Sequence, residues 1–178
     1  SCIPGTIGGG IKMNSGCFAK EFKDILLSVQ AIDKNGKILT IPESKIKFGY
    51  RKNDLDKNLI FLSASFQGKY KEKKEIIEEI EKLKDTKDQS QPTKIKTGGS
   101  TFKNPLEQTK DKAWELIKSS VSIDTKFGDA SISKKHCNFL VNNGNAKFED
   151  MKKLIDYIRV KVKENTGIEL DLEIEIVE

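Results

Sequence analysis

The stretch Gly98-Gly99-Ser100-Thr101-Phe102-Lys103-Asn104-Pro105 holds the residue types most able to do chemistry. Two glycines let the backbone approach a ligand or take a positive φ. Ser100 can donate a proton from a constrained turn, and Lys103 and Asn104 can donate to phosphate, sugar or carboxylate oxygens. Pro105 stops a strand or helix from running on. Taken alone, the eight residues read equally as a solvated turn between two strands. Arg51 is a second candidate. It and Arg159 are the only arginines beside thirty lysines. An arginine retained against such a bias suits a planar, permanently charged fork for carboxylate or phosphate, which lysine does not reproduce. A surface ion pair is the plainer reading. Near the start, Gly8-Gly9-Gly10 can bring backbone N–H groups to a phosphate or a flat cofactor. The spacing is not G-x-G-x-x-G and no strand precedes it, so a Rossmann site is excluded, and a loop leading into a short helix is the alternative.

The elements that must carry these residues are legible in outline. Ile25 to Ile32 and Lys37 to Ile41 form a predicted hairpin around Asp33-Lys34-Asn35-Gly36, with Pro42 closing the second strand. Glu43 to Lys47 reads as a helical turn leading to Phe48-Gly49-Tyr50-Arg51. Leu59 to Phe66 reads as a buried strand. Glu72 to Leu83 is a predicted helix with Ile76, Ile77, Ile80 and Leu83 on one face. Asp85 to Thr93 is polar, contains Pro92 and reads as a linker. Ala113 to Ser119 is a short helix in which Trp114 is expected to pack. Phe127 to Ala130 is a turn, and His136 to Asn142 a strand. Phe148 to Lys163 is the clearest helix, stopped by Asn165-Thr166-Gly167. Ile168 to Val177 alternates apolar residues with Glu169, Asp171, Glu173 and Glu175, as a strand with one carboxylate-rich face would. The class this predicts is α+β, with antiparallel sheets and packed helices.

Composition narrows the function. The chain has 178 residues, 33% charged and 36% hydrophobic, with a formal charge of +5. The lysines alternate with Glu and Asp and form no basic stripe with interleaved aromatics, which argues against nucleic acid. No run of about 18 apolar residues exists, so no membrane helix is expected. Cys2, Cys17 and Cys137 are odd in number and lack C-x-x-C spacing, and His136 is the single histidine. A disulfide scaffold or metal site is therefore not expected, and a reducing, cytoplasmic setting is the simpler context. The opening Ser-Cys-Ile-Pro-Gly-Thr lacks an initiator Met and reads as the interior of a longer chain.

Four motifs in order resemble the UDP-N-acetylenolpyruvoylglucosamine reductase (MurB) family. They are Ile3-Pro4-Gly5-Thr6-Ile7-Gly8-Gly9 with Met13-Asn14-Ser15-Gly16; Phe48-Gly49-Tyr50-Arg51; Gly99 to Pro105; and Ser133 to Phe139 with Gly167-Ile168-Glu169-Leu170 and Glu173. The short interval between Arg51 and Ser100 resembles the shorter, second type. The resemblance implies FAD and NADPH as cofactors. It implies reduction of UDP-N-acetylglucosamine enolpyruvate to UDP-N-acetylmuramate for peptidoglycan, by a cytoplasmic monomer. It implies Arg51, Ser100 and Glu173 as catalytic residues, and Tyr50, Asn104 and His136 as substrate contacts. Ile3, Gly5, Thr6, Gly8 and Gly9 are the implied cofactor contacts. Residues 1–90 would be the second half of the FAD-binding domain and 91–178 the substrate domain. The first FAD-binding subdomain would be missing, so this stretch alone is expected to be inactive. Cys2 and Asp129 stand where the family usually has Gly, and Gly98 where it usually has a small residue. A non-catalytic UDP-sugar-binding module is the alternative.

Overall fold

The computed structural model describes residues 3, 5–92 and 95–177. Cys2, Pro4 and Thr93, which entered the sequence reading, lie outside them. The chain divides into two compact units, Ser1–Lys84 and Asp85–Glu178. The expected division was at 90/91.

In the first unit, α1 (Ile7–Lys12) is followed by β1 (Gly16–Cys17) and β2 (Lys20–Glu21), which pair as a small hairpin. β3 (Leu26–Ile32) and β4 (Ile38–Pro42) form the predicted hairpin. Its turn is set by chemistry legible in the sequence: Asp33 Oδ1 accepts from the N–H groups of Asn35 and Lys37 at 2.8 and 2.9 Å. Gly36 supplies the φ of +80° there. A second small hairpin, β5 (Phe48–Gly49) and β6 (Lys52–Asn53), carries only Tyr50 and Arg51 between its strands. β7 (Ile60–Phe66) then pairs with β3, giving the order β4-β3-β7.

β7 is a strand but not a buried one. Val29 and Ala31 of β3 are fully buried. Ile11, Leu26, Val29 and Ile46 make the core, with Phe61 and Ala64 of β7 packed against it. The other face is open, and Ile60 is 66% exposed there. A continuous apolar run suggests burial on both faces; in this sheet only Phe61 and Ala64 of the run meet the core, three residues apart because the pairing with β3 shifts register between Gln30 and Ala31.

α2 (Lys73–Ser90) runs through the expected linker and ends just before Pro92. Asp, Thr and Ser are poor but tolerated helix residues and Lys and Gln are good ones, so polarity alone does not stop a helix already propagating. No α2 side chain is fully buried, and its Ile76 and Ile77 are exposed. Among the described residues, no helix is long and apolar enough to cross a membrane.

The second unit is a four-stranded antiparallel sheet with two helices. β8 (Lys96–Ser100), α3 (Ala113–Ser120), β9 (Lys126–Phe127), β10 (Ala130–Ile132), β11 (Phe139–Asn142) and α4 (Phe148–Thr166) come in that order. The sheet order is β8-β11-β10-β9. Leu154, Ile155, Ile158 and Val162 of α4 pack on Leu116 and Ile117 of α3 and on Ala130, Ile132 and Leu140 of the sheet. Each such side chain contributes roughly 2 kcal/mol by leaving water. Asp150 accepts from Lys147 N at 3.0 Å at the start of α4, and Gly167 ends it with φ of +74°.

Two strand expectations are corrected here. Residues 136–138 form a turn, and the strand begins only at Phe139. Ile168 to Val177 is not a regular strand. It makes one isolated antiparallel bridge, Phe102 to Leu172. The alternation nonetheless survives in its packing: Leu170 is buried, and Leu172, Ile174 and Ile176 lean on the core.

Candidate active site

The Gly98–Pro105 stretch is not a free turn. Its first three residues lie inside β8, and Ser100 is the last residue of that strand. Ser100 faces Phe139 and Thr97 faces Val141, so three steps along β8 match two along β11. The extra residue is a β-bulge, and Gly99 takes φ of +88° within it. Bulges bend a strand and re-aim the next side chain, so the glycine pair sets the direction of Ser100.

The backbone beyond Ser100 is held on two sides. Asn138, 5% exposed, forms a two-way clamp on Phe102. Its Oδ1 accepts from Phe102 N at 2.9 Å, and its Nδ2 donates to Phe102 O at 2.8 Å. Thr101 N donates to Asn138 O at 2.8 Å. From the other side, Lys103 N donates to Asp171 O at 2.8 Å and Glu173 N to Thr101 O at 2.9 Å. The hydroxyl-bearing and carboxylate-bearing segments are thereby laid side by side. Glu173 is half-buried, whereas Glu169, Asp171 and Glu175 are exposed. Asn104 Oδ1 accepts from Ala113 N at 3.0 Å, tying the stretch to the start of α3.

His136 stands on the same turn as Asn138. Its ring meets Phe139 edge-on at 4.8 Å and lies 6.4 Å from Trp114. Its Nδ1 accepts from Asn138 N at 3.3 Å, so the neutral ring carries its proton on Nε2. Burial pushes its pKa below the ordinary value of 6.5. Trp114, expected in the core, is only half-buried. With His136 it lines a cleft of about 740 Å³ that also touches Lys118, Ile123, Lys135 and Cys137. Burial raises the Cys137 thiol pKa, partly offset by the Lys118 charge. Lys135 Nζ bonds to Asp88 O. An aromatic wall with lysines at its rim suits a planar ring attached to phosphates.

Tyr50 and Arg51 form the tip of the β5–β6 hairpin, in the first unit. Arg51 has φ of +55°, a left-handed conformation that costs a non-glycine residue about 1 kcal/mol or more. Its guanidinium carbon lies 4.9 Å from the Tyr50 ring centre. Both side chains are half-buried.

The glycine-rich start is a helix entrance. Thr6 caps α1, accepting at Oγ1 from Gly9 N at 3.0 Å, while Gly10 N donates to Thr6 O at 2.9 Å. Gly10 is glycine for packing, since a Cβ there would lie 2.4 Å from the Phe22 ring. Around Gly5 (φ +113°) there is open space, and Ile3 and Ile7 beside it are exposed. An open backbone flanked by exposed aliphatic side chains fits the edge of a flat cofactor. It offers few free donors for a pyrophosphate.

Ser100, Asn104, His136 and Glu173 are therefore gathered in the second unit; Tyr50 and Arg51, with Gly5 to Gly9, belong to the first. Reasoning from sequence missed the bulge and the clamping roles of the buried asparagines. A glycine pair before Ser100 was the available signal for the first. For the second there was none, because their partners lie far along the chain.

Fold and site together define the chain as an α+β protein built on antiparallel sheets, with a hydroxyl and a carboxylate segment joined beside a helix start. Residues 91–177 match the family described as UDP-N-acetylenolpyruvoylglucosamine reductase, C-terminal domain. A reductase of that name from Pelagibacter ubique is 63% identical over 99% of the chain and 58% of its own length. One from Rickettsia conorii is 44% identical over 97% and 57%. The solved structure of the Thermus caldophilus enzyme superposes with a TM-score of 0.82 at 32% identity, over 98% of this chain and 61% of that one. Residues 91–177 belong to the UDP-N-acetylenolpyruvoylglucosamine reductase C-terminal domain family, and the chain as a whole spans somewhat under three-fifths of the length of these two curated relatives.

Proposed function

We propose that the chain contributes the reducing site for UDP-N-acetylglucosamine enolpyruvate, in a monomeric cytoplasmic enzyme that makes UDP-N-acetylmuramate for peptidoglycan. The observation that carries this reading is the bond from Glu173 N to Thr101 O, which joins the segments of Ser100 and Glu173. FAD, when bound beside Ile3, Gly5, Thr6, Gly8 and Gly9 and reduced by NADPH, would supply the hydride for the terminal carbon of the enolpyruvyl double bond. The electron pair released collects on the carbon bearing the carboxylate. Arg51 pairs with that carboxylate and stabilises the enolic charge. Ser100 then delivers a proton to the same carbon, completing the addition of two hydrogens. A serine hydroxyl is a weak acid, and Glu173 helps it by steadying the enolic form. Tyr50, Asn104 and His136 contact the sugar nucleotide. Ile3, Gly5, Thr6, Gly8 and Gly9 border the flavin.

The test is Ser100→Ala in the full-length gene product. Flavin reduction by NADPH should remain fast while reoxidation by the enolpyruvyl sugar is lost; equal loss of both half-reactions sinks the assignment. The aromatic and lysine-rimmed cleft at Trp114 and His136 also favours a second reading, a UDP-sugar-binding module without catalysis. For that reading, calorimetry shows binding of UDP-N-acetylglucosamine while the unsubstituted protein never turns over the enolpyruvyl sugar.

A further inference from the structure

Asn14 is fully buried and left-handed, with φ of +40°. Its Nδ2 donates to Gly49 O at 3.1 Å and to Glu21 Oε2 at 3.0 Å, and its Oδ1 accepts from Lys23 N at 3.2 Å. Gly49 is the residue before Tyr50. On the other leg of the same hairpin, Asn53 Nδ2 donates to Ile11 O at 3.0 Å and Lys12 O at 2.9 Å. Its Oδ1 accepts from Leu55 N at 3.0 Å. Lys12 Nζ reaches the carbonyls of Leu55 and Asp56, each at 3.2 Å. Both legs of β5–β6 are thus fastened to the end of α1, one by each asparagine, and only Tyr50 and Arg51 lie between them.

The residue type at 14 is narrowly constrained. Asparagine tolerates the left-handed backbone. Its amide offers the two donors that Gly49 O and Glu21 need and the acceptor that Lys23 N needs. Aspartate would set a carboxylate against the Glu21 carboxylate and a carbonyl oxygen. Alanine would leave the half-buried Gly49 carbonyl without this donor.

We propose that Asn14, seconded by Asn53, is a positioning residue for Arg51. It fixes the root of a two-residue loop, and so the height and direction at which the guanidinium meets the substrate carboxylate. This rests on the role given to Arg51 above. Neither asparagine need touch substrate.

The experiment is a double-mutant cycle in the full-length, FAD-loaded protein, reading kcat/KM for the enolpyruvyl sugar. Asn14→Gly keeps the left-handed backbone and removes the amide. It should lower kcat/KM on the order of 100-fold, the scale of a misplacement of about 1 Å. Arg51→Ala should lower it at least as far. The double variant should then match Arg51→Ala alone, because a misaimed group that is absent cannot be misaimed further. A double variant that falls by the product of the two single losses overturns the positioning role, since general loosening slows both backgrounds alike. Wild-type turnover in Arg51→Ala overturns instead the reading of Arg51 itself. Should Asn14→Gly fail to fold, Asn53→Ala enters the same cycle under the same criterion.

Discussion

His136 is a histidine held neutral by its surroundings, with Phe139 against one side, Trp114 nearby and Nδ1 occupied by Asn138 N. Burial places its folded pKa below the ordinary value. Between those two values the unfolded chain binds more protons than the folded one. Stability is therefore full above the ordinary histidine pKa and falls as pH drops through it. Melting temperatures of wild type and His136→Gln, measured between about pH 7.5 and about pH 5.5, should diverge on acidification, with wild type losing more. Parallel lines would mean the imidazole is solvated in the folded protein. Ser100 and Arg51 stood out in the sequence by residue type, whereas Glu173, one of four alternating carboxylates, and His136 as a substrate contact were picked out only through the family resemblance. Trp114, expected to pack, is half-buried with its ring 6.4 Å from His136, and the cleft it also borders depends on the course of the 136–138 turn, which the helical spacing of Trp114, Leu116 and Ile117 does not encode.

Strand β8 shows how an element turns composition into aim. Gly98 and Gly99 look equivalent in sequence, yet only Gly99 is left-handed. A Cβ at Gly98 would make an ordinary 3.5 Å contact with Ile174, and one at Gly99 would meet nothing within 4 Å. Any cost at Gly99 is thus backbone strain rather than collision. Urea unfolding should find Gly99→Ala destabilised by about 1 kcal/mol or more and Gly98→Ala within about 0.5 kcal/mol of wild type. Equal effects would mean that the bulge is not seated at Gly99. The elements with strong local codes, namely the Asp33–Gly36 hairpin and α4, were legible almost to the residue. Those that depend on distant partners were not. β9 and β10 are two and three residues long, too short for any periodicity. The 168–177 segment has the pattern of a strand but bonds its neighbour only around Phe102 and Leu172.

At the scale of the whole molecule, each unit carries its own core, and the residues assigned to the reaction are divided between them. The glycine-rich entrance to α1 already uses the N–H groups of Gly9 and Gly10 on Thr6. The open surface at Gly5 can border a flavin but supplies few donors to retain its pyrophosphate. Purified on their own, the 178 residues should be colourless and should not oxidise NADPH. A yellow preparation with flavin absorbance would refute this.

The sequence by itself determined the α+β class, the long helix and the first hairpin, because these arise from periodicity and turn chemistry within a few residues. It also carried the family, through four ordered motifs. Tertiary structure alone decided which of four alternating carboxylates is half-buried, how Ser100 is aimed, and what holds the Arg51 hairpin. Those outcomes depend on hydrogen bonds such as Asn138 to Phe102, 36 residues apart, and Asn14 to Gly49, 35 apart. No local pattern encodes them, since an asparagine in sequence has the same donors whether it faces water or the carbonyl beneath the Tyr50–Arg51 loop.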